Sequence, residues 1–75
     1  MAAVKIESET MGSVWTHSVG VGQVVTAGST LLLLELMKME IPIVSPVAGE
    51  VTFLLACGET VEPGTVVAIV NQTET

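Results

Sequence analysis

One lysine stands at the middle of this chain in a setting that could present its amine for acylation. Lys38 lies between Met37 and Met39, with Glu35 and Glu40 outside them, within residues 31–44: Leu-Leu-Leu-Leu-Glu-Leu-Met-Lys-Met-Glu-Ile-Pro-Ile-Val. The only other cationic side chain is Lys5, because the chain holds no arginine. A deprotonated lysine amine attacks activated acyl groups, whereas the delocalised guanidinium of arginine stays charged and is a poor acceptor. The plain alternative is a solvated tip at which Lys38 only offsets the two glutamates, and spacing does not separate these readings.

Other chemistry is thinly supplied. There is one histidine, His17, and one cysteine, Cys57, too few for a metal site of ordinary ligand number. Cys57 adjoins a turn glycine and reads as a small hydrophobe in a loop, and His17 as a structural or surface residue. No nucleophile with a neighbouring base and no phosphate-cradling loop is present, so no catalytic role is expected. The net charge of −6 offers no basic patch, which argues against nucleic acid and against an anionic membrane surface. No apolar run approaches the roughly 18 residues of a membrane span. A single cysteine and an amino-terminal stretch without presequence features lead to the expectation of a cytoplasmic protein.

The elements that must position Lys38 are short. At 75 residues the chain makes one small domain, and 49% hydrophobic residues with 3% aromatics suit an aliphatic sheet sandwich or barrel. Residues 4–8 alternate apolar with polar, and residues 14–17 form a second β-prone run. Trp15 is expected in the core of so aromatic-poor a chain. Glycine and proline turns then leave room for about six to eight strands and no ordinary helix.

The two halves repeat. Gly12-Ser13-Val14 aligns with Gly49-Glu50-Val51 at an offset of 49 − 12 = 37, and Gly22-Gln23-Val24 with Gly58-Glu59-Thr60 at 58 − 22 = 36. Halves at about residues 12–36 and 49–72, neither able to bury its apolar face alone, should pack as two sheets about an approximate two-fold axis. The repeat also settles residues 31–41, whose Leu, Met, Glu and Lys favour a helix. Residues 31–34 fall opposite Val67-Ala68-Ile69-Val70, a β-branched run, and Pro42 would stop a helix. The spacing therefore predicts a hairpin turning at Met37-Lys38, with Leu36 opposite Met39, Glu35 opposite Glu40, Leu34 opposite Ile41 and Leu32 opposite Ile43. One face then carries Leu32, Leu34, Leu36, Met39, Ile41 and Ile43; the other carries Leu31, Leu33, Glu35, Glu40, Pro42 and Val44. Met37-Lys38 is a poor hairpin turn and Glu35 facing Glu40 is unfavourable, the kind of local inconsistency found where function overrides stability.

Glu35-Leu36-Met37-Lys38-Met39-Glu40, followed by Ile41-Pro42 and by Ser45-Pro46-Val47-Ala48-Gly49, resembles the biotinyl domain family, the biotin/lipoyl attachment domains of biotin carboxyl carrier proteins. The resemblance covers nearly the whole chain, and Met-Lys-Met at a central hairpin is a highly specific motif. It implies an all-β fold over residues 1–75, a flattened barrel or sandwich of two four-stranded antiparallel sheets with pseudo-two-fold symmetry. It implies that Lys38 carries biotin through an amide, made by a biotin protein ligase that recognises Glu35, Leu36, Met37, Met39 and Glu40. The implied role is a biotin carboxyl carrier, non-catalytic itself, taking a carboxyl group from a biotin carboxylase to a carboxyltransferase whose expected acceptor is an acyl-CoA. Amide formation would remove the only positive charge between Glu35 and Glu40. Met37 and Met39 would serve as soft contacts for these partners, and Lys5, outside the motif, would stay unmodified. The chain departs from the family at Leu36, where a small residue is usual, and has no room for the thumb-like insertion of some members. Two other readings stand beside this one. A lipoyl carrier shares the fold but usually sets its lysine in an Asp-Lys-Ala-like context, and an unmodified interaction domain would use the hydrophobic hairpin to dock a partner.

Overall fold

A computed structural model describes residues 2–73. Eight strands run in order: β1 (Ala2–Glu7), β2 (Gly12–His17), β3 (Val24–Val25), β4 (Thr30–Leu36), β5 (Met39–Val44), β6 (Gly49–Leu54), β7 (Thr60–Val61) and β8 (Val66–Gln72). They form two antiparallel four-stranded sheets, ordered β1-β8-β6-β3 and β5-β4-β2-β7. Among the described residues there is no helix. The helix-forming composition of residues 31–41 is overridden because β4 is paired on both sides, by β2 and by β5, and its inward leucines fill the core.

Exchanging β1 with β5, β2 with β6, β3 with β7 and β4 with β8 turns one sheet order into the other, which is the two-fold relation expected of the repeat. Each half lends its shortest strand to the opposite sheet, β3 beside β6 and β7 beside β2, so neither half closes without the other. The sheets clasp a core of Ile6, Val14, Val25, Leu31, Leu32, Leu34, Val51, Val61, Val67, Ala68 and Val70. Burying a side chain of this kind contributes about 1.5–3 kcal/mol relative to leaving it exposed, so the clasp is held by aliphatic packing.

The hydrogen bonds outside the ladders repeat too. Ser8 N–H donates to the Thr65 carbonyl (2.9 Å) and Gly64 N–H returns to the Ser8 carbonyl (2.9 Å); Ser45 N–H donates to the Ser29 carbonyl (2.8 Å) and Gly28 N–H returns to the Ser45 carbonyl (2.7 Å). Ser8 and Ser45 are 2% and 0% exposed. Their hydroxyls donate to the carbonyls two residues on, Thr10 at 2.5 Å and Val47 at 2.6 Å. A buried hydroxyl so paired avoids the penalty of an unmet polar group, and no buried side-chain N or O among the described residues lacks a partner.

Two expectations are corrected. Trp15 is not in the core but 49% exposed. The β2 register breaks between Val14, opposite Leu34, and Thr16, opposite Leu33, which leaves Trp15 as the extra residue of a bulge with its side chain exposed. Leu31, expected on the outer face of the hairpin, is fully buried, because a second break between Thr30 and Leu32 turns it inward with Leu32.

Close crossing of β6 and β8 depends on Gly49, since a Cβ there would overlap the Asn71 backbone carbonyl. Gly49→Ala should therefore lower the unfolding free energy by about 1–3 kcal/mol. Gly20→Ala, whose added Cβ meets nothing within 4 Å, should leave the guanidinium midpoint almost unmoved. Equal midpoints for the two variants would contradict the packing described.

Candidate functional site

The hairpin β4–β5 has the expected register: Leu36 opposite Met39, Glu35 opposite Glu40, Leu34 opposite Ile41 and Leu32 opposite Ile43. Met37 and Lys38 alone turn the chain, with φ of 51° and 67°. Both central residues at positive φ is the pattern of a type I′ turn, which suits the right-handed twist of the strands but favours Asn-Gly. For ordinary L-residues this left-handed conformation costs roughly 1–2 kcal/mol each. The turn forms here because the buried alternation of β4 leaves no other register.

Beyond the barrel the tip is open. Lys38 is exposed, Met37 is 86% exposed and Met39 is 64% exposed. Met39, aligned with the core-facing row, is uncovered because the hairpin overruns the neighbouring strand: on β2 the pairing with β4 stops at Ser13 opposite Glu35. Gly12, one residue on, lets β2 run close under the hairpin, since a Cβ there would sit 2.9 Å from the Glu35 carbonyl oxygen and 3.7 Å from Leu36 Cβ. Leu36 is thus half-buried over a glycine, which gives the larger side chain room where the family pattern has a small one. Glu35 and Glu40 are exposed and directly opposed.

All six residues singled out in sequence therefore sit at one hairpin tip, the flanking five around Lys38. Its amine is not enclosed: the cleft of about 330 Å³ between β1 and β5, lined by residues including Ile6, Glu7, Thr10 and Ile43, does not include Lys38. An exposed amine on a two-residue turn can enter another protein's active site but cannot surround a substrate itself. Lys5, by contrast, lies within β1, opposite Ile69 of β8. His17 and Cys57 stay apart from the tip; His17 Nε2 hydrogen-bonds the Leu55 carbonyl oxygen at 2.7 Å, and Cys57 is an exposed free thiol. No cluster of metal ligands exists among the described residues. The sequence reading missed the buried Ser8 and Ser45, although their 37-residue spacing (45 − 8) matches the repeat and could have identified them.

Residues 2–70 match the family described as "Biotin-requiring enzyme", the biotin/lipoyl domains. The chain is 34% identical over 70 residues to the biotinylated protein TB7.3 homolog of Mycobacterium leprae, covering 92% of this chain and 99% of that one. It is 35% identical over 67 residues to the urea amidolyase of Saccharomyces cerevisiae, covering 88% of this chain but 4% of that one. Among solved structures, Kluyveromyces lactis urea carboxylase aligns with a TM-score of 0.88 at 32% identity, over 95% of this chain and 6% of that one. A single-chain, multi-domain long-chain acyl-CoA carboxylase aligns with a TM-score of 0.85 at 23% identity, over 97% and 7%, a likeness of fold. The chain thus spans almost all of the mycobacterial relative and a small fraction of the others.

The strained turn carries its own test. Replacing Met37-Lys38 by Asn-Gly should raise the unfolding free energy by about 1–3 kcal/mol, read from denaturant unfolding, because both replacements accept positive φ. A loss of stability would contradict the strain described and mean that the methionine and lysine side chains themselves hold the tip.

Proposed function

We propose, because this chain belongs to the biotin/lipoyl attachment family of biotin-requiring enzymes, that it is a biotin carrier whose cofactor is joined to Lys38. The observation that carries this reading is the position of Lys38 in a two-residue turn at positive φ, exposed between two exposed methionines. The residues present fit the group: no side chain has to move to uncover the amine, and the flanking thioethers offer adaptable apolar contacts to a ligase.

Attachment requires Lys38 Nζ to lose its proton and attack an activated carboxyl carbon held by a biotin protein ligase. The nitrogen becomes an amide as the activating group departs, and the tip loses its one positive charge. When bound, biotin supplies a ureido nitrogen that takes up and releases a carboxyl group. The chain's own contribution is placement. The clasped sheets hold the root of the arm and the turn keeps its base free of the domain surface. Tethering turns transfer between two active sites into a local search at raised effective concentration.

The finer reading names a biotin carboxylase as donor and a carboxyltransferase as recipient, with an acyl-CoA as final acceptor. Likeness to parts of a urea carboxylase and an acyl-CoA carboxylase supports a carrier within such assemblies. The carrier catalyses neither half-reaction in this reading: an exposed lone amine lacks the base and the enclosing pocket that either would need.

Peptide mapping by tandem mass spectrometry of the protein from its own cells should find a biotinyl adduct on Lys38 and none on Lys5. Lys38→Arg should abolish streptavidin capture. A lipoyl adduct at Lys38, or biotin on another residue, would overturn the proposal.

A further inference from the structure

The cleft between β1 and β5 lies off centre in a molecule that is otherwise nearly two-fold. The exchange of β1 with β5 relates residues 37 apart (43 − 6), so Ile6 and Ile43, which both line the cleft, are equivalents. From that pair the cleft extends in one direction only. It takes in Glu9, Thr10, Ile41 and Pro42 but not their counterparts Pro46, Val47, Val4 and Lys5. That direction is toward the hairpin tip. Ile41 and Pro42 follow directly on Met39 and Glu40 in β5, and Thr10 leads through Met11 to Gly12, which lies against Glu35 and Leu36.

The lining suits a small group that is apolar over most of its surface and polar at one edge. Ile6 is buried and Ile41 and Ile43 are half-buried, while Glu7 and Glu9 are exposed. The volume of about 330 Å³ is at the small end of ligand pockets, which run from about 300 to 1,000 Å³ and are mostly apolar with a few polar groups. Biotin has this character: its thioether ring and acyl chain are apolar, and its ureido group carries N–H donors and a carbonyl acceptor. The carboxylates of Glu7 and Glu9 can accept from N–H. The Thr10 hydroxyl, whose bond to the Met11 carbonyl is 3.3 Å long, can donate to a ureido oxygen instead.

Reach selects the occupant. Ile41 stands two residues beyond Met39, a rise of about 7 Å along the strand. The lysine stem followed by the acyl chain of biotin is longer than that. A group tethered at Lys38 is held near the cleft at a roughly millimolar effective concentration, so weak contacts suffice, an advantage that no free ligand has. Acylation also removes the ammonium that would otherwise hold the end of the side chain in water.

We propose that this cleft is a seat for the chain's own Lys38-linked biotin, occupied at least half of the time when no partner holds the arm. The inference rests on the carrier reading above. It gives a role to a one-sided cleft that a two-fold frame does not require.

Intact mass first establishes that the chain bears its biotinyl adduct. NMR of the labelled, biotinylated chain is then compared with that of the unmodified chain. Nuclear Overhauser contacts should join the biotin ring protons to the methyl groups of Ile6, Ile41 and Ile43. Shift changes on biotinylation should include Ile43 and Thr10 and spare their counterparts Ile6 less than Val4 and Val47, which should not move. Changes confined to residues 37–39 in a chain that bears the adduct would overturn the seat and leave the carrier reading standing. Contacts that fade on dilution would overturn it as well, because they would belong to the arm of another copy. A second readout is the rate of capture by streptavidin, which follows the unseated fraction. Thr10→Trp, which fills the cleft, should raise that rate about twofold or more, and Val47→Trp at the counterpart position should leave it unchanged. Equal rates for Thr10→Trp and wild type would overturn the seat. Absence of the adduct at the first step would overturn the carrier reading and the seat together.

Discussion

Burial of Leu32 and Leu34 is the constraint on which the presentation of Lys38 depends. β4 lies between β2 and β5, and both leucines are withdrawn fully from water. A slip of one residue would carry them to the outer face and move the turn off Met37-Lys38. Each burial contributes about 1.5–3 kcal/mol, against roughly 1–2 kcal/mol for each of two turn residues held at positive φ. Core packing therefore outweighs the strain, and the tip is kept in a conformation its own residue types disfavour. A flexible loop would expose a lysine as well, but its amine would wander relative to the domain that a partner has to grip.

Around this hairpin the molecule is close to symmetric. Short strands are exchanged between the sheets, and Ser8 and Ser45 sit as equivalent buried pegs with the same backbone and hydroxyl bonds. The two-fold relation carries the pair Leu36–Met39 at the tip onto Gln72–Ala2, the outermost pair of β8 and β1. One frame thus appears twice while only one of its two such ends is closed by a lysine-bearing turn. Symmetry accounts for stability in so small a chain, since each half completes the other's sheet. The halves differ at residues 35–40, where only one carries a turn, and at the bulge, where Trp15 stands at the position equivalent to Thr52.

Much of this was legible in the sequence because two periodicities agreed. Alternation over residues 31–44 fixed a register, and the repeat overruled the helical composition of the same stretch by laying it against a β-branched run. The Met37-Lys38-Met39 motif then needed only the turn that alternation had already located. Two of the misses share a cause. Trp15 and Leu31 both lie where the pairing register breaks, and a bulge reverses the inside–outside alternation that sequence reading relies on. Nothing in the residue types announces a bulge, since either strand could have continued regularly. Ser8 and Ser45 were passed over because serine is ordinarily a surface or turn residue, and only their repeated spacing marks them as interior.

The central claim is that Lys38 is an acyl acceptor by virtue of its place in the two-residue turn, and not simply as an exposed lysine among methionines. Relocating the amine by one residue tests this most directly, with the Lys38→Met, Met39→Lys double variant leaving composition and charge unchanged. The measurement is the initial rate of biotin transfer by biotin protein ligase with ATP and biotin, alongside denaturant unfolding to establish that the variant is folded. The account predicts a fall of at least about tenfold for the relocated lysine, the factor that about 1.4 kcal/mol of lost transition-state stabilisation gives. A folded variant acylated at the wild-type rate would contradict it.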